Sequence, residues 1–287
     1  MKLILGCGYL GSRVAALWQQ SGERVAVLTR SPQRAAALEA QGLIPRIADV
    51  TDRAALQAAL ADLSPTTVLY AVGYDRGGGH AMSEVYIEGL QNVLAALPPT
   101  TGSLIYVSST GVYGNFAGDW IDETAPCQPE RDGGRVCLAA EQALQAHPLG
   151  AISIILRMAG IYGPSRIPRR ADLEAGRPLA VPEQGWLNLI HVADAAAIIL
   201  NVERRGRAGE TYLVADGHPV QRGDYFRELA RLLSAPPPRF VAAEETPAQD
   251  RAASNKRISI AKLQREIEPV FQFPSYREGL GAIVRAP

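Results

Sequence analysis

Lys2-Leu3-Ile4-Leu5-Gly6-Cys7-Gly8-Tyr9-Leu10-Gly11 is the stretch that decides the fold of this 287-residue chain. A short apolar run leads straight into a Gly-x-Gly-x-x-Gly turn. Leu10, Val14, Leu17 and Trp18 then recur at the spacing of one helix face. Strand, glycine turn and helix, in that order, open a dinucleotide-binding fold. Gly6 permits the tight turn, Gly8 lets the backbone approach a pyrophosphate with no side chain in the way, and Gly11 lets the helix pack close to the strand. The unpaired N–H groups of the helix N-terminus, around Tyr9 and Leu10, face the phosphates.

The chain beyond keeps this rhythm. Apolar runs at 24–28, 44–48, 67–72, 104–107, 152–156 and 211–214 read as strands. Helical periodicity marks 32–40, 53–60, 82–97, 136–146, 192–202 and 225–233. Alternation of this kind predicts an α/β Rossmann fold, a doubly wound parallel sheet with helices on both faces. After Arg157 the texture turns rich in Pro and Gly, which predicts a smaller C-terminal substrate lobe. The expected division is residues 1–160 as dinucleotide-binding domain, with 188–215 returning to it, and 161–187 and 216–287 as the lobe. Residues 234–247 read as a surface connection. Gly77-Gly78-Gly79 reads either as a hinge closing on substrate or as a plain flexible loop.

Composition narrows the function. Lys+Arg and Asp+Glu number 29 each, so the net charge is zero, which argues against a strongly basic nucleic-acid binder and leaves only a local basic patch open. Cys7, Cys127 and Cys137 are too few and too scattered for a disulfide framework or a metal site, so no metal is expected. No apolar run is long enough to span a bilayer, and the stretch before Cys7 is too short for a signal peptide. The expected compartment is the cytoplasm, and the expected partner a small molecule rather than nucleic acid or membrane.

At the end of the second strand, dinucleotide folds place the group that reads the adenosine ribose. Here Thr29-Arg30-Ser31 stands there, with Arg34 one helical step on. Cationic and hydroxyl side chains suit a 2′-phosphate, so NADP is favoured over NAD. Asp49, followed by Val50, either accepts from the adenine amino group or caps the next helix. Ala71-Val72-Gly73 ends the fourth strand with residues small enough to lie against the cofactor, or simply to pack tightly.

Several segments together resemble the extended short-chain dehydrogenase/reductases, the NAD-dependent epimerase/dehydratase family. They are the glycine turn, Asp49-Val50-Thr51-Asp52, Gly89-Leu90-Gln91-Asn92-Val93-Leu94, Val107-Ser108-Ser109-Thr110-Gly111-Val112-Tyr113-Gly114, Leu156-Arg157-Met158-Ala159-Gly160-Ile161-Tyr162-Gly163-Pro164 and Asn188-Leu189-Ile190-His191-Val192-Ala193-Asp194. The resemblance implies a hydride-transfer site. A hydroxyl after the fifth strand holds the substrate oxygen. A Tyr acts as acid/base, and a Lys four residues later lowers its pKa and binds the nicotinamide ribose. Ser109 matches the hydroxyl, flanked by Ser108 and Thr110. Counting back from Glu141, which matches a later Glu of the family, puts Gly133 in the Tyr position and Cys137 in the Lys position. The catalytic pair is missing. The Asp-Glu pair of the family's dehydratases falls on Thr110-Gly111, which argues against 4,6-dehydration.

Two readings follow. In one, the chain is an oxidoreductase or epimerase-like enzyme acting on a small hydroxyl or carbonyl substrate, a nucleotide sugar among the candidates, with a non-standard acid/base. Tyr74, Tyr113 and Tyr162 are then expected at loop positions facing the cleft, and Arg135 supplies the missing positive charge. In the other, the chain binds NADP and does no chemistry, acting as a regulator or redox sensor. Arg166, with Arg169 and Arg170, either binds a diphosphate or forms a solvated face. Arg157 is expected to anchor loop carbonyls, His191 to pack between the lobes, and Asp194 to start a helix or hold a loop. Asn255-Lys256-Arg257 resembles a family segment near the substrate's phosphate end. The helices at 82–97 and 136–146 form the usual dimer face in the resembled family; their apolar stripes serve either a homodimer or the cover of the sheet.

Overall fold

The computed structural model describes residues 1–241 and 254–285. Seven strands form one parallel sheet: β1 (Lys2–Leu5), β2 (Val25–Thr29), β3 (Ile44–Ile47), β4 (Thr67–Tyr70), β5 (Ser103–Ser109), β7 (Ser153–Met158) and β11 (Thr211–Val214). Their order is β11-β7-β5-β4-β1-β2-β3. Every residue of β1, β2, β4 and β7 is buried, the pattern of strands covered on both faces. The short strands β6 (Trp120–Ile121), β8 (Gly160–Tyr162), β9 (Trp186–Leu187), β10 (Leu189–His191), β12 (Val220–Gln221) and β13 (Arg257–Ile258) pair outside this sheet.

Strand order reverses between β1 and β4, and the crevice this opens at the strand C-termini is where such sheets take ligands. On one face lie α1 (Gly11–Gln20), α2 (Pro32–Glu39) and α7 (Val192–Arg205). On the other lie α3 (Arg53–Leu60), α4 (Gly89–Ala96) and α5 (Asp132–Ala146). Leu90, Val93 and Leu94 of α4 and Ala140 and Leu144 of α5 are spent on covering the sheet. Glu203 of α7 ties one end of the fold together, accepting from Trp18 Nε1 (2.7 Å) and Thr67 Oγ1 (2.6 Å) and pairing with Lys2. None of the described helices is long and apolar enough to cross a membrane.

Two helices depart from the periodicity. The expected helix 82–97 begins with a π-helical segment, Glu84–Glu88, before α4. Helix α5 starts at Asp132 and takes Gly133 and Gly134 into its first turn, against their low propensity.

A second cluster, around Tyr162, Leu173, Leu179, Tyr225 and Leu280, forms the core of the C-terminal lobe with α6 (Arg170–Glu174), α8 (Arg222–Leu232) and helix Tyr276–Arg285. Not all of 216–287 stays there. Ile258, Ile260, Leu263 and Ile267 pack into the core that holds Leu213 of β11, so the chain returns to the sheet a second time. Part of the expected connection 234–247 lies outside the described residues.

Asp216 sits just past β11, at 3% exposure, where its Oδ1 accepts the His218 N–H (2.9 Å). Burial pushes this carboxyl up to about 7, Asp194 adds to the rise, and His218 opposes it. An unfolded Asp titrates near 4. The native state therefore holds the proton more tightly, and stability falls as pH rises from about 4 to about 7. Asp216→Asn keeps the oxygen that accepts from His218 and removes the charge. Urea unfolding should show the variant about 2–4 kcal/mol more stable than wild type at pH 8, with the gap closing toward pH 4. An equal gap at both pH values would refute this assignment.

Candidate active site

Two cavities meet at the C-terminal end of β1. The smaller, about 240 Å³, lies over the end of β2 and is lined by Gly6, Gly8, Arg30, Asp49, Val50, Val72 and Gly73, with Cys7 and Arg34. The larger, about 620 Å³, shares Gly8, Val72 and Gly73 with it. It continues past Tyr9, Leu10 and Ala71 to Ser108, Ser109 and Thr110, and ends under the lobe at Arg166.

The first turn is shaped to receive phosphate. Gly6 has φ +95°, and a Cβ on it would lie 2.3 Å from the Ala71 carbonyl oxygen. A Cβ on Gly11 would meet the Gly6 carbonyl oxygen at 2.3 Å, so this glycine serves helix packing and lines neither cavity. A Cβ on Gly8 would meet nothing within 4 Å and would stand in the open crevice. That bare, exposed backbone at a helix N-terminus is a cradle for an anion.

Arg30 reaches across the smaller cavity to Asp49 (3.6 Å) and to Asp75 (3.1 Å) on the glycine-rich loop. Arg34 donates to the Cys7 carbonyl. Ser31 caps α2, accepting the Arg34 N–H (3.3 Å). Asp49 does not cap the next helix; Asp52 does, accepting the Ala55 N–H (3.0 Å). Burial acts to raise the Asp49 carboxyl, but the Thr51 N–H and hydroxyl, with the Arg30 charge, hold it below the usual carboxylate range. Tyr9 lies between two guanidinium groups, Arg13 at 4.3 Å and Arg166 at 5.3 Å from its ring centre, and its hydroxyl donates to the Pro164 carbonyl (3.0 Å). The phosphate turn and the lobe are joined there.

Several expected site residues are placed elsewhere. Ser108 is buried, and its hydroxyl donates to Glu141 (2.5 Å) rather than reaching toward substrate. Arg157 completes that network. It donates twice to Glu141, through Nη2 (2.7 Å) and Nε (3.1 Å), and through Nη1 to the Tyr113 hydroxyl (2.7 Å). It holds side chains, not the expected loop carbonyls. Tyr113, 1% exposed, lines neither cavity, and burial pushes its phenol up to about 12. Tyr162 is equally buried, in the lobe core, with its hydroxyl on the Ser275 carbonyl. Tyr74 lines neither cavity and donates to the His80 carbonyl (3.0 Å). Arg135 points away, into the Glu130 carbonyl and Asp132; Arg131 lines the cleft instead. Ser109 and Thr110 do line the cleft, with Ser109 Oγ accepting the Gly111 N–H (3.0 Å). His191 packs between Tyr162 and Phe273, and Asp194 holds the loop at 272–273 through two backbone N–H groups.

A profile of the NAD dependent epimerase/dehydratase family matches residues 3–215. The chain belongs to that family. The chain is similar to Protein YeeZ of Escherichia coli (strain K12), 32% identical over 194 residues. That alignment covers 67% of this chain and 66% of YeeZ, so the match spans just under two thirds of the relative's length. A functionally unknown conserved protein from Silicibacter pomeroyi superposes with a TM-score of 0.79 at 30% identity, covering 98% of this chain and 97% of the other. DesIV, a dTDP-glucose 4,6-dehydratase from Streptomyces venezuelae with NAD and TYD bound, shares the fold with a TM-score of 0.83 at 22% identity, over 99% and 96% of the two chains.

Measured against the epimerase/dehydratase pattern, the sequence reading overlooked Tyr86, Tyr106, Arg131, Trp186 and Arg222, which all line the cleft. Tyr86 was hidden inside an apolar helical stripe; only the π segment turns it to the cavity. Lys256 lies in a segment that the sequence singled out. Its ammonium is buried and donates to the carbonyls of Tyr113 and Gly114 (3.3 Å each) and to Ser254. Burial, then the nearby Arg131, lowers it to about 8, while Glu130 opposes the fall.

Proposed function

We propose that this chain binds a nicotinamide dinucleotide, NADP in preference to NAD, and acts on a hydroxyl or carbonyl carbon of a small anionic substrate. The observation that carries this reading is the bare Gly8 turn at the junction of two joined cavities, one walled by Arg30 and Arg34 and the other by Ser109. When bound, the dinucleotide supplies a hydride acceptor or donor. Gly6, Gly8, Tyr9 and Leu10 would hold its pyrophosphate, with Gly11 letting the helix approach closely enough to present them, Arg30 and Asp49 its adenosine end, and Ala71, Val72 and Gly73 the wall beneath it. Ser109 would hold the substrate oxygen, with Thr110 beside it. Among the described residues the cleft lining carries Arg131, Arg166, Arg222 and Lys256 and no carboxylate, which favours an anionic substrate. A nucleotide sugar meets that description, and DesIV carries NAD and TYD on the same fold. A silent NADP-binding regulator is the second reading, favoured by Gly133 and Cys137 standing where the family pair would be.

Calorimetric titration with NADPH and NADH tests the dinucleotide reading, and Asp75 sharpens it. The Asp75 carboxylate holds Arg30 through the contact a 2′-phosphate would need. Asp75→Asn should therefore tighten NADPH binding about fivefold and leave NADH within about twofold. Arg30→Ala should weaken NADPH about tenfold and change NADH little. Equal effects on both dinucleotides would remove the case for NADP.

A further inference from the structure

Helix α5 is bare at Gly133, and the neighbouring helical segment faces it with Met82. A Cβ on Gly133 would meet a single atom, Met82 Sδ at 3.8 Å, so the position of the family's Tyr is open space backed by Met82. Tyr86 lies one turn past Met82, as Cys137 lies one turn past Gly133. Tyr86 and Cys137 both line the larger cavity, and Cys137 is near enough to act on the Tyr86 phenol. Two large side chains thus register against the two small ones that replace the catalytic pair. The π segment Glu84–Glu88 carries Tyr86, and single π turns inside α-helices recur at functional sites because they turn one side chain out of register.

The hydroxyl is engaged from one side only. It accepts the Tyr74 backbone N–H at 3.0 Å, and no described residue takes its proton. The rings of Tyr74 and Tyr86 pack at 6.4 Å, which fixes the orientation. The other candidates in the cleft are committed elsewhere. Lys256 spends its three N–H groups on two carbonyls and Ser254. Arginine does not give up a proton. Tyr106 is 2% exposed and stacks on Tyr70. The Cys137 thiol is a weak hydrogen-bond donor, and burial, with Glu141 beside it, pushes it up to about 11.

We propose that Tyr86 is the proton donor of this site, taking over from α4's side of the cleft the task of the missing Tyr-x-x-x-Lys pair; this rests on the hydride-transfer reading above. In the reducing direction the substrate carbonyl carbon gains a hydride with its electron pair from the reduced dinucleotide, which leaves oxidised. The carbonyl π pair moves onto oxygen. The Tyr86 O–H bond breaks, its proton forms the new O–H bond of the alcohol, and the phenolate, held by the Tyr74 N–H, recovers a proton from water. Burial raises the Tyr86 phenol above its ordinary range, the Tyr74 N–H opposes this, and Cys137 adds to the rise. The phenol therefore keeps its proton at neutral pH, which is the form that can donate to a developing alkoxide.

The test uses the full chain with NADPH and three carbonyl probes, two of them anionic to suit the basic cleft: 9,10-phenanthrenequinone, phenylglyoxylate and pyruvate. Tyr86→Phe keeps the ring that packs on Tyr74, and Tyr86→Leu stands in should the Phe variant fail to fold. The variant should bind NADPH within about twofold of wild type and lose about 100-fold or more of kcat, with KM little changed. Independently of turnover, ring-labelled tyrosine NMR should show the Tyr86 resonance, assigned by its loss in the variant, keeping its phenol shift to about pH 9. A variant that retains most of the wild-type kcat, or a Tyr86 already ionised at neutral pH, overturns the proposal. Wild type that binds NADPH but reduces no probe overturns it together with the catalytic reading. Wild type that binds no NADPH sinks the dinucleotide reading instead.

Discussion

Gly8→Val is expected to abolish nicotinamide dinucleotide binding while leaving the fold intact. The Cβ at this position has open space on every side, and Gly8 is absent from the glycines with positive φ, so a branched side chain costs little in the native state. The same side chain stands between the helix N-terminus and any phosphate approaching it. A displaced pyrophosphate loses several charge-assisted N–H bonds at about 1.5–3 kcal/mol each, which corresponds to about 1,000-fold or more in the dissociation constant. Gly6→Ala is the contrasting case. Its φ of +95° and the Ala71 oxygen 2.3 Å from the new Cβ charge the substitution to folding itself, by about 3–5 kcal/mol. Thermal melting separates the two: Gly8→Val should melt within about 2 °C of wild type and Gly6→Ala well below it. A Gly8→Val chain that still binds NADPH with wild-type affinity would end the cofactor proposal.

Glu141→Ala is expected to destabilise the fold as severely as Gly6→Ala, through a different cause. Glu141 is 1% exposed, and Arg157, at 7%, spends two of its donor groups on it. Removing the carboxylate leaves a buried guanidinium with only neutral partners among the described residues, the Tyr113 hydroxyl and the Cys127 thiol, and strands the Ser108 hydroxyl as well. Breaking a buried pair from one side typically costs about 3–5 kcal/mol. The double replacement Glu141→Leu with Arg157→Met removes both charges and should recover most of that loss. Chemical denaturation of the three variants checks this. If the double variant is as unstable as the single one, the cost lies in packing rather than in the orphaned charge.

This network also shows where the sequence could be read and where it could not. The sheet, its parallel sense and the glycine turn were legible because strand burial on both faces writes itself as unbroken apolar runs, and the turn demands glycines at fixed offsets. The lining of the smaller cavity was legible for the same reason: Arg30 and Asp49 follow the ends of β2 and β3, and Arg34 lies in the first turn of α2, positions the periodicity locates. The catalytic side did not follow. Tyr113 and Tyr162 lie in motifs that pass the cleft, but single residues alternate between wall and interior there, and both went inward. Tyr86 was invisible because a π turn breaks the helical periodicity that assigned it to a buried stripe. Arg222 reaches the cleft from more than 200 residues beyond the glycine turn, and no local pattern announces a contact made at that separation; Lys256, as distant, was flagged only by the resemblance of its segment.

Tyr9 belongs to the phosphate turn, yet its ring is gripped by Arg166 and its hydroxyl by Pro164, both on the far side of the cleft. The floor that receives the first ligand and the roof that covers the second are stitched together at that seam. The mouth of the cleft therefore behaves like a purse sewn along one edge: any gaping has to occur at the opposite rim.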